Sequence, residues 1–250
     1  MLAEDRMARI CEIVTARGAA TLTELCSALD ASESTIRRDL VRLDAEGRVE
    51  RVHGGARAKS DSSLVSTDQS VAEKHDINAA QKRAIAEVAA GLVGPGDLVY
   101  IDSGTTCELM ADYLAETRAT YVTNSLPLAQ RLLARGMQVI LPGGRVKPLT
   151  EALVGEEAVD SLSRYHFTIG FWGTNGCDPA TGFTTPEPGE AAVKRVSMRQ
   201  CSHPFVLCDA SKFEHVSLVT FADFAAATVI CDDVPTEKYL DYPNVMKVEA

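Results

Sequence analysis

The sequence predicts an α/β protein in two parts: a small unit of three helices and a β-hairpin over residues 1–58, and a mostly parallel α/β domain over 78–250, joined through 59–77. Three observations point there. Apolar residues recur at helical spacing through the first 45 positions, a glycine-centred run of short extended pieces follows, and beyond residue 78 helical stretches alternate with short apolar runs. Alternation of that kind builds a sheet of parallel strands covered by helices.

Met7, Ile10, Cys11 and Val14 lie at i, i+3, i+4 and i+7, one face of a first helix that Gly18 would stop. Thr21 and Glu24 form the T-x-x-E of a capping box, and Leu22, Leu25, Cys26 and Leu29 continue the periodicity into a short second helix. A break at Asp30 and Ala31 precedes Ser32, placed to cap a third helix running to about Glu46 and ending at Gly47. Ile36, Leu40 and Leu43 share its inner face, which leaves Ser34, Thr35, Arg38 and Arg42 outward with Arg37 on the flank. Hydroxyls and arginines near a helix start suit phosphates and guanine edges in a major groove. A solvated charged face is the plain alternative, and the short helix, tight turn and second helix argue for a helix-turn-helix.

RVERVHGGARA then reads as two extended pieces around Gly54 and Gly55, a wing whose Arg51, His53 and Arg57 would lie beside a phosphate backbone. A hairpin with incidental charges remains the other reading. Charge distribution favours the nucleic-acid one. The chain carries a net charge of -10, yet residues 1–60 balance ten Lys or Arg against ten Asp or Glu, so the whole deficit lies in the second part.

KSDSSLVSTDQS, residues 59–70, is serine-rich and marks an exposed connection. Beyond it the expected elements are a helix over about 78–93, the strand LVYI at 98–101, a helix near 107–115 and the strand TYVT. Further strands fit MQVIL, HFTIG, PFVLC and ATVIC. Ligands of such sheets bind in the loops leaving the carboxyl ends of strands. After LVYI, Asp102, Ser103, Gly104, Thr105 and Thr106 lead directly into a helix, so hydroxyls, a glycine and free amides together offer an anion cradle; a plain cap and turn would use the same residues. Other strand ends carry Thr123, Asn124 and Ser125, then Gly143 and Gly144, then Gly173, Thr174 and Asn175, then Asp209 and Lys212. Together they suit a polar phosphorylated ligand, with Lys74, Lys82 and Lys194 as further sources of positive charge.

The run ASESTIRRDLVRLDAEGRVERVHGGA resembles the first domain of the DeoR family of bacterial transcription regulators. The segments IDSGTT, VTNS, LPGG, GTNG, GFTTPEPGEAAVKR and CDASK are similar to that family's effector domain, which is like ribose-5-phosphate isomerase in fold. The resemblance implies a winged helix-turn-helix with Ser34, Thr35, Arg37 and Arg38 facing double-stranded operator DNA and Arg51 to Gly55 as the wing. It also implies a phosphorylated sugar as effector, homo-oligomeric assembly, and repression of sugar-metabolism genes relieved by the effector. Cys107 departs from the family, which usually has another hydroxyl residue there.

Other classes find little support. A hydrophobic content of 46% without a long apolar run argues against a membrane protein, and the acidic start MLAEDRMARI is no secretory leader, so a cytoplasmic location is expected. Seven scattered cysteines without C-x-x-C, and five histidines without ligand spacing, suggest neither disulfides nor a metal, and no cofactor is expected. A redox sensor would need a reactive thiol, for which Cys107 at a helix start is the one candidate. An aldose–ketose isomerase needs a carboxylate base, and the loop after HFTIG offers only Asp178 before Glu187 and Glu190. A sensor is expected, not an enzyme.

Overall fold

The computed structural model describes residues 3–17, 19–45, 48–52, 54–58, 64–65, 74 and 77–248. The chain divides into two compact units, Met1–Ser62 and Ser63–Ala250.

In the first unit, α1 (Ala3–Arg17) buries Met7, Ile10 and Val14, as their spacing requires. A short strand, β1 (Ala19–Thr21), leads into α2 (Leu22–Leu29) through the capping box. Glu24 N–H donates to Thr21 Oγ1 at 3.2 Å, and Thr21 N–H donates to Glu24 Oε2 at 2.7 Å. Asp30 ends this helix in the left-handed region, with φ of 47°. Helix α3 (Glu33–Ala45) follows, its Thr35 N–H reaching Ser32 Oγ at 3.4 Å. Ile36, Leu40 and Leu43 pack with Leu22, Leu25, Leu29 and Val49 into one core.

The hairpin differs from expectation in its turn. Strands β2 (Val49–Val52) and β3 (Gly55–Ala58) pair with Val52 opposite Gly55, so the chain turns before Gly55, with Gly54 at φ of 88°. Gly55 belongs to the strand. Strand β1 pairs antiparallel with β3, and a Cβ on Gly55 would stand 2.3 Å from the Ala20 carbonyl oxygen, so only glycine admits this third strand.

The second unit begins with β4 (Leu64–Val65) and continues through α4 (Ala79–Ala90), β5 (Leu98–Ile101), α5 (Thr105–Tyr113), β6 (Thr120–Thr123), α6 (Leu126–Ala134) and β7 (Gln138–Ile140). A hairpin, β8 (Arg145–Lys147) and β9 (Ala152–Val154), leads to α7 (Glu156–Leu162) and β10 (Phe167–Gly173). After the short strands β11 (Gly176–Asp178) and β12 (Gly182–Thr185) come α8 (Pro188–Arg199) and β13 (Cys201–Leu207). The chain ends in β14 (Val216–Ser217), β15 (Val219–Ala222), β16 (Thr228–Cys231) and β17 (Val245–Lys247). Seven strands form one parallel sheet in the order β17-β16-β13-β10-β5-β6-β7.

Alternate residues of the strands feed two cores. Val99 and Ile101 pack with Ile85, Met110 and Leu128 of α4 to α6, whereas Tyr100 packs with Trp172 and with Ala191 and Leu162 of α8 and α7. Helices therefore cover both faces. The strand order reverses between β5 and β10: from β5 the chain works outward through β6 and β7, then crosses to β10 and works outward the other way. Such a switch point opens a crevice at the carboxyl ends of its two strands. It is where the loops 102–106 and 173–175 begin.

Candidate functional site

The outward face of α3 carries Ser34, Arg37, Arg38 and Arg42, all exposed, with Thr35 half-buried. The one acid that would most weaken its positive charge is turned inward. Asp39 is 7% exposed and takes Arg6 of α1 on both oxygens, Nε to Oδ2 at 2.6 Å and Nη2 to Oδ1 at 3.3 Å. Arg37 reaches Glu33 at 3.4 Å one turn back, and Arg38 makes no bond to any described residue. The Ser34 and Thr35 hydroxyls both sit within 3.0 Å of Ser32 Oγ, which ties them to the helix start. Sequence reasoning passed over Val41, 49% exposed and one turn beyond Arg37 and Arg38. In the wing, Arg51 is exposed, while His53 lies outside the described residues.

In the second unit a pocket opens at the switch point. Ser103, Gly104, Thr105 and Thr106 line it from the end of β5, and Gly173, Thr174 and Asn175 from the end of β10. Helix α5 begins two residues earlier than expected, so Thr105 and Thr106 form its first turn, which no side chain caps. Its amide dipoles are thus left for an anion. Lys74, Lys82, Asp209 and Lys212 line the adjoining wall. Lys82 is only 4% exposed and donates to the Lys74 carbonyl at 2.5 Å. Burial lowers its pKa, Asp209 opposes that, and Lys212 and Lys74 add to it. A buried ammonium among other cations is poised to take an anion. Asp209 is held by Asn78 Nδ2 on Oδ1 at 3.0 Å, and its Oδ2 is buried with no partner among the described residues.

Lys194 of α8, which also lines the pocket, forms a buried ion pair with Asp102 Oδ2 behind the lining and donates to the Gly173 carbonyl at 3.1 Å. Gly173 N–H donates to the same Asp102 oxygen at 3.1 Å. Burial pushes the Asp102 carboxyl up, opposed by Lys194 and by the Gly173 amide. Burial also works against the Lys194 charge, and Asp102 and Glu190 beside it overcome that, keeping the amine above its ordinary range. This pair locks the ends of β5 and β10 to α8.

The family models match this two-part arrangement: one described as a DeoR-like helix-turn-helix domain covers residues 6–62, and one described as the DeoR C terminal sensor domain covers residues 77–234. The chain belongs to the DeoR family of transcription regulators. Its DeoR relatives include the HTH-type transcriptional regulator FruR of Bacillus subtilis (strain 168), 37% identical over 100% of this chain and 99% of that protein. The lactose phosphotransferase system repressor of Streptococcus mutans is 31% identical over 98% of this chain and all of the relative, and that of Staphylococcus aureus (strain NCTC 8325 / PS 47) is 30% identical over 98% and 95%. Solved structures that align with it include ribose 5-phosphate isomerase A of Methanocaldococcus jannaschii, with 16% identity, 54% and 55% coverage and a TM-score of 0.40. The sorbitol operon regulator SorC of Klebsiella pneumoniae aligns with 12% identity, 84% and 90% coverage and a TM-score of 0.38.

Not every residue read as an effector contact in this DeoR sensor reaches the pocket. Thr123 is fully buried and receives Ser125 N–H at 3.1 Å, and Ser125 caps α6 by accepting Leu128 N–H at 3.3 Å. Asn124 accepts from Tyr100 OH at 3.1 Å and from Ser103 N–H at 3.0 Å, so it shapes the 103–106 loop from behind. Gly143 and Gly144 open the β8–β9 hairpin, and Gly144 at φ of 120° lies against Val154 and Ala158. Asp102 also stands behind the lining. Gly55, read as part of the DNA-facing wing, is buried under β1.

Conversely, Glu190 and Thr150 line the pocket unannounced, with Ile77, Leu207 and Cys208. The loop after β10, read as acid-poor, brings no acid to the pocket: Asp178 closes a turn by accepting from Ala180 and Thr181, and the pocket acids Glu190 and Asp209 come from α8 and from the end of β13. Cys107 is fully buried, its thiol reaching Phe171 O at 3.8 Å, and burial pushes its pKa up, which removes the thiolate that a redox sensor needs. Among the described residues no helix is long and apolar enough to cross a membrane.

Proposed function

We propose that this DeoR-family regulator is a cytoplasmic homo-oligomeric repressor that holds operator DNA through α3 and the wing, and releases it when a phosphorylated sugar fills the pocket at the switch point. The observation that carries the ligand class is the meeting of the uncapped start of α5 with buried Lys82 and with Lys212. Amide dipoles and two ammonium groups suit a phosphate, which brings nearly two negative charges at neutral pH. The lactose phosphotransferase system repressors support a role in sugar metabolism.

On the DNA side, Arg38 is the residue proposed to read a base edge, with Arg37, Arg42, Ser34 and Thr35 around it and Arg51 and His53 on the backbone. The route from pocket to operator starts at Lys82, whose ammonium holds the carbonyl of Lys74 on the chain leading from the DNA-binding unit. A phosphate drawn to Lys82 competes for that contact. Release follows only if the ligand binds the DNA-incompetent form more tightly.

Catalysis is not part of the proposal. Glu190 holds Lys147 and Thr150 on Oε1, and Asp209 holds Asn78 and Ser211 on Oδ1, while the matching family models and relatives are described as transcription regulators and not as enzymes. A gel-shift titration of the operator complex against pentose and hexose phosphates tests the reading: release by at least one of them is expected, and no release by any would refute it.

A further inference from the structure

The pocket is unequal at its two ends. Lys82 is surrounded by Asp209, Lys212 and Lys74, whereas Glu190 acts on Asp102 and Lys194. One wall therefore gathers cations, and the other joins a closed ion pair to a second carboxylate. Glu190 is 6% exposed and sits in the first turn of α8, its N–H held by Glu187 Oε2 at 2.7 Å. Its Oε1 accepts from Lys147 Nζ at 2.9 Å and from Thr150 Oγ1 at 2.7 Å, both on the β8–β9 hairpin. Its Oε2 takes no hydrogen bond from any described residue, and the side chain faces the pocket.

A rigid carboxylate with one oxygen engaged and one open is an acceptor waiting for a donor. The surrounding charges decide which kind. Lys194 beside Asp102 and Lys147 beside Glu190 already balance the acids at this end, so a cationic ligand group has no uncompensated charge to meet. The phosphate belongs at the other wall. What fits is a neutral O–H, and the neighbouring Thr150 hydroxyl, also lining the pocket, extends the same polar strip.

We propose that Glu190 is the residue that reads the hydroxyl groups of the ligand, accepting on Oε2 a hydrogen bond from a polyhydroxylated phosphate whose phosphate lies between the start of α5 and Lys82. This rests on the phosphorylated-sugar reading and narrows it: the regulator tells a sugar phosphate from a phosphate ester without hydroxyls, and does so through α8.

The test is isothermal titration calorimetry on the full chain with ethyl phosphate, ribose 5-phosphate and fructose 6-phosphate. In the parent, at least one sugar phosphate binds more tightly than ethyl phosphate. Glu190→Gln lowers that preference, read as the ratio of sugar-phosphate to ethyl phosphate affinity, about ten- to a hundredfold, the range for losing a hydrogen bond to a charged group. Glu190→Asp keeps a carboxylate and a partner for Lys147, and retains part of the preference; it carries the test should Glu190→Gln not fold. A parent without preference among the three phosphates overturns the proposal, as does a folded Glu190→Gln that keeps the preference or loses ethyl phosphate in equal measure. Failure of every phosphate to bind the parent overturns the phosphorylated-sugar reading itself, a separate result.

Discussion

Replacing Lys82 with methionine separates a ligand-binding cation from a structural one. Methionine is close to lysine in length and suits a site that is 4% exposed, so the change removes charge without opening a cavity. In the unliganded protein Lys82 bears a charge that burial disfavours, and its charge-assisted bond to the Lys74 carbonyl, worth about 1.5–3 kcal/mol, offsets that cost. These contributions oppose each other, and stability should change by less than about 1 kcal/mol. In the complex the ammonium would make a charge-assisted bond to phosphate worth about 1.5–3 kcal/mol, a loss of roughly 10- to 150-fold in affinity. Calorimetry with inorganic phosphate and ribose 5-phosphate, beside a thermal melt, reads both quantities. A folded Lys82→Met variant that binds within about threefold of the parent would refute the assignment.

The same lysine sets a pH dependence. Its pKa is lowered in the free pocket and rises when an anion binds, so the complex holds more protons, and affinity falls as pH climbs through the free-state pKa, earlier than for an ordinary lysine; Lys82→Met should lack that limb in a calorimetric series from pH 7 to about pH 10. Arg38→Ala should cost about 1–3 kcal/mol of operator discrimination in a gel shift at fixed salt, and parent-like discrimination would return Arg38 to the solvated surface. Gly55→Ala should lose operator binding while keeping sugar-phosphate binding, because its Cβ would strike the Ala20 carbonyl and overpacking of that kind costs about 1–3 kcal/mol. Full operator affinity in that variant would show that β1 gives way easily.

Local chemistry was legible in the sequence, and tertiary placement was not. The capping box at Thr21 and Glu24, the inner stripe of α3 and the strands LVYI and TYVT fold as read, because each is specified by its own few residues. Strand β1 and the pairing of β12 with β15 were invisible: both are short, lack a usable period, and find partners more than thirty residues away. At the pocket, hydroxyl and amide clusters do not say whether they face a ligand or each other. Thr105 and Thr106 line it, while Thr123, Asn124 and Ser125 bond among themselves and to neighbouring loops. Glu190 and Lys194 stand four apart on α8, the spacing of a solvated surface pair. Only the packing of α8 against the switch point reveals them as buried.

Operator release by a sugar phosphate, compared between the parent and Gly104→Val, tests the central claim most directly. A Cβ at position 104 would lie 3.9 Å from Gly173 Cα, an ordinary contact on an extended backbone, so the variant should fold; its two methyls would then occupy the mouth of α5 where the anion approaches. The parent is expected to release operator as sugar phosphate rises, and Gly104→Val to bind operator equally well and keep it at every ligand concentration. A folded Gly104→Val protein that releases operator at the same ligand concentration as the parent would contradict the placement of the phosphate at the start of α5.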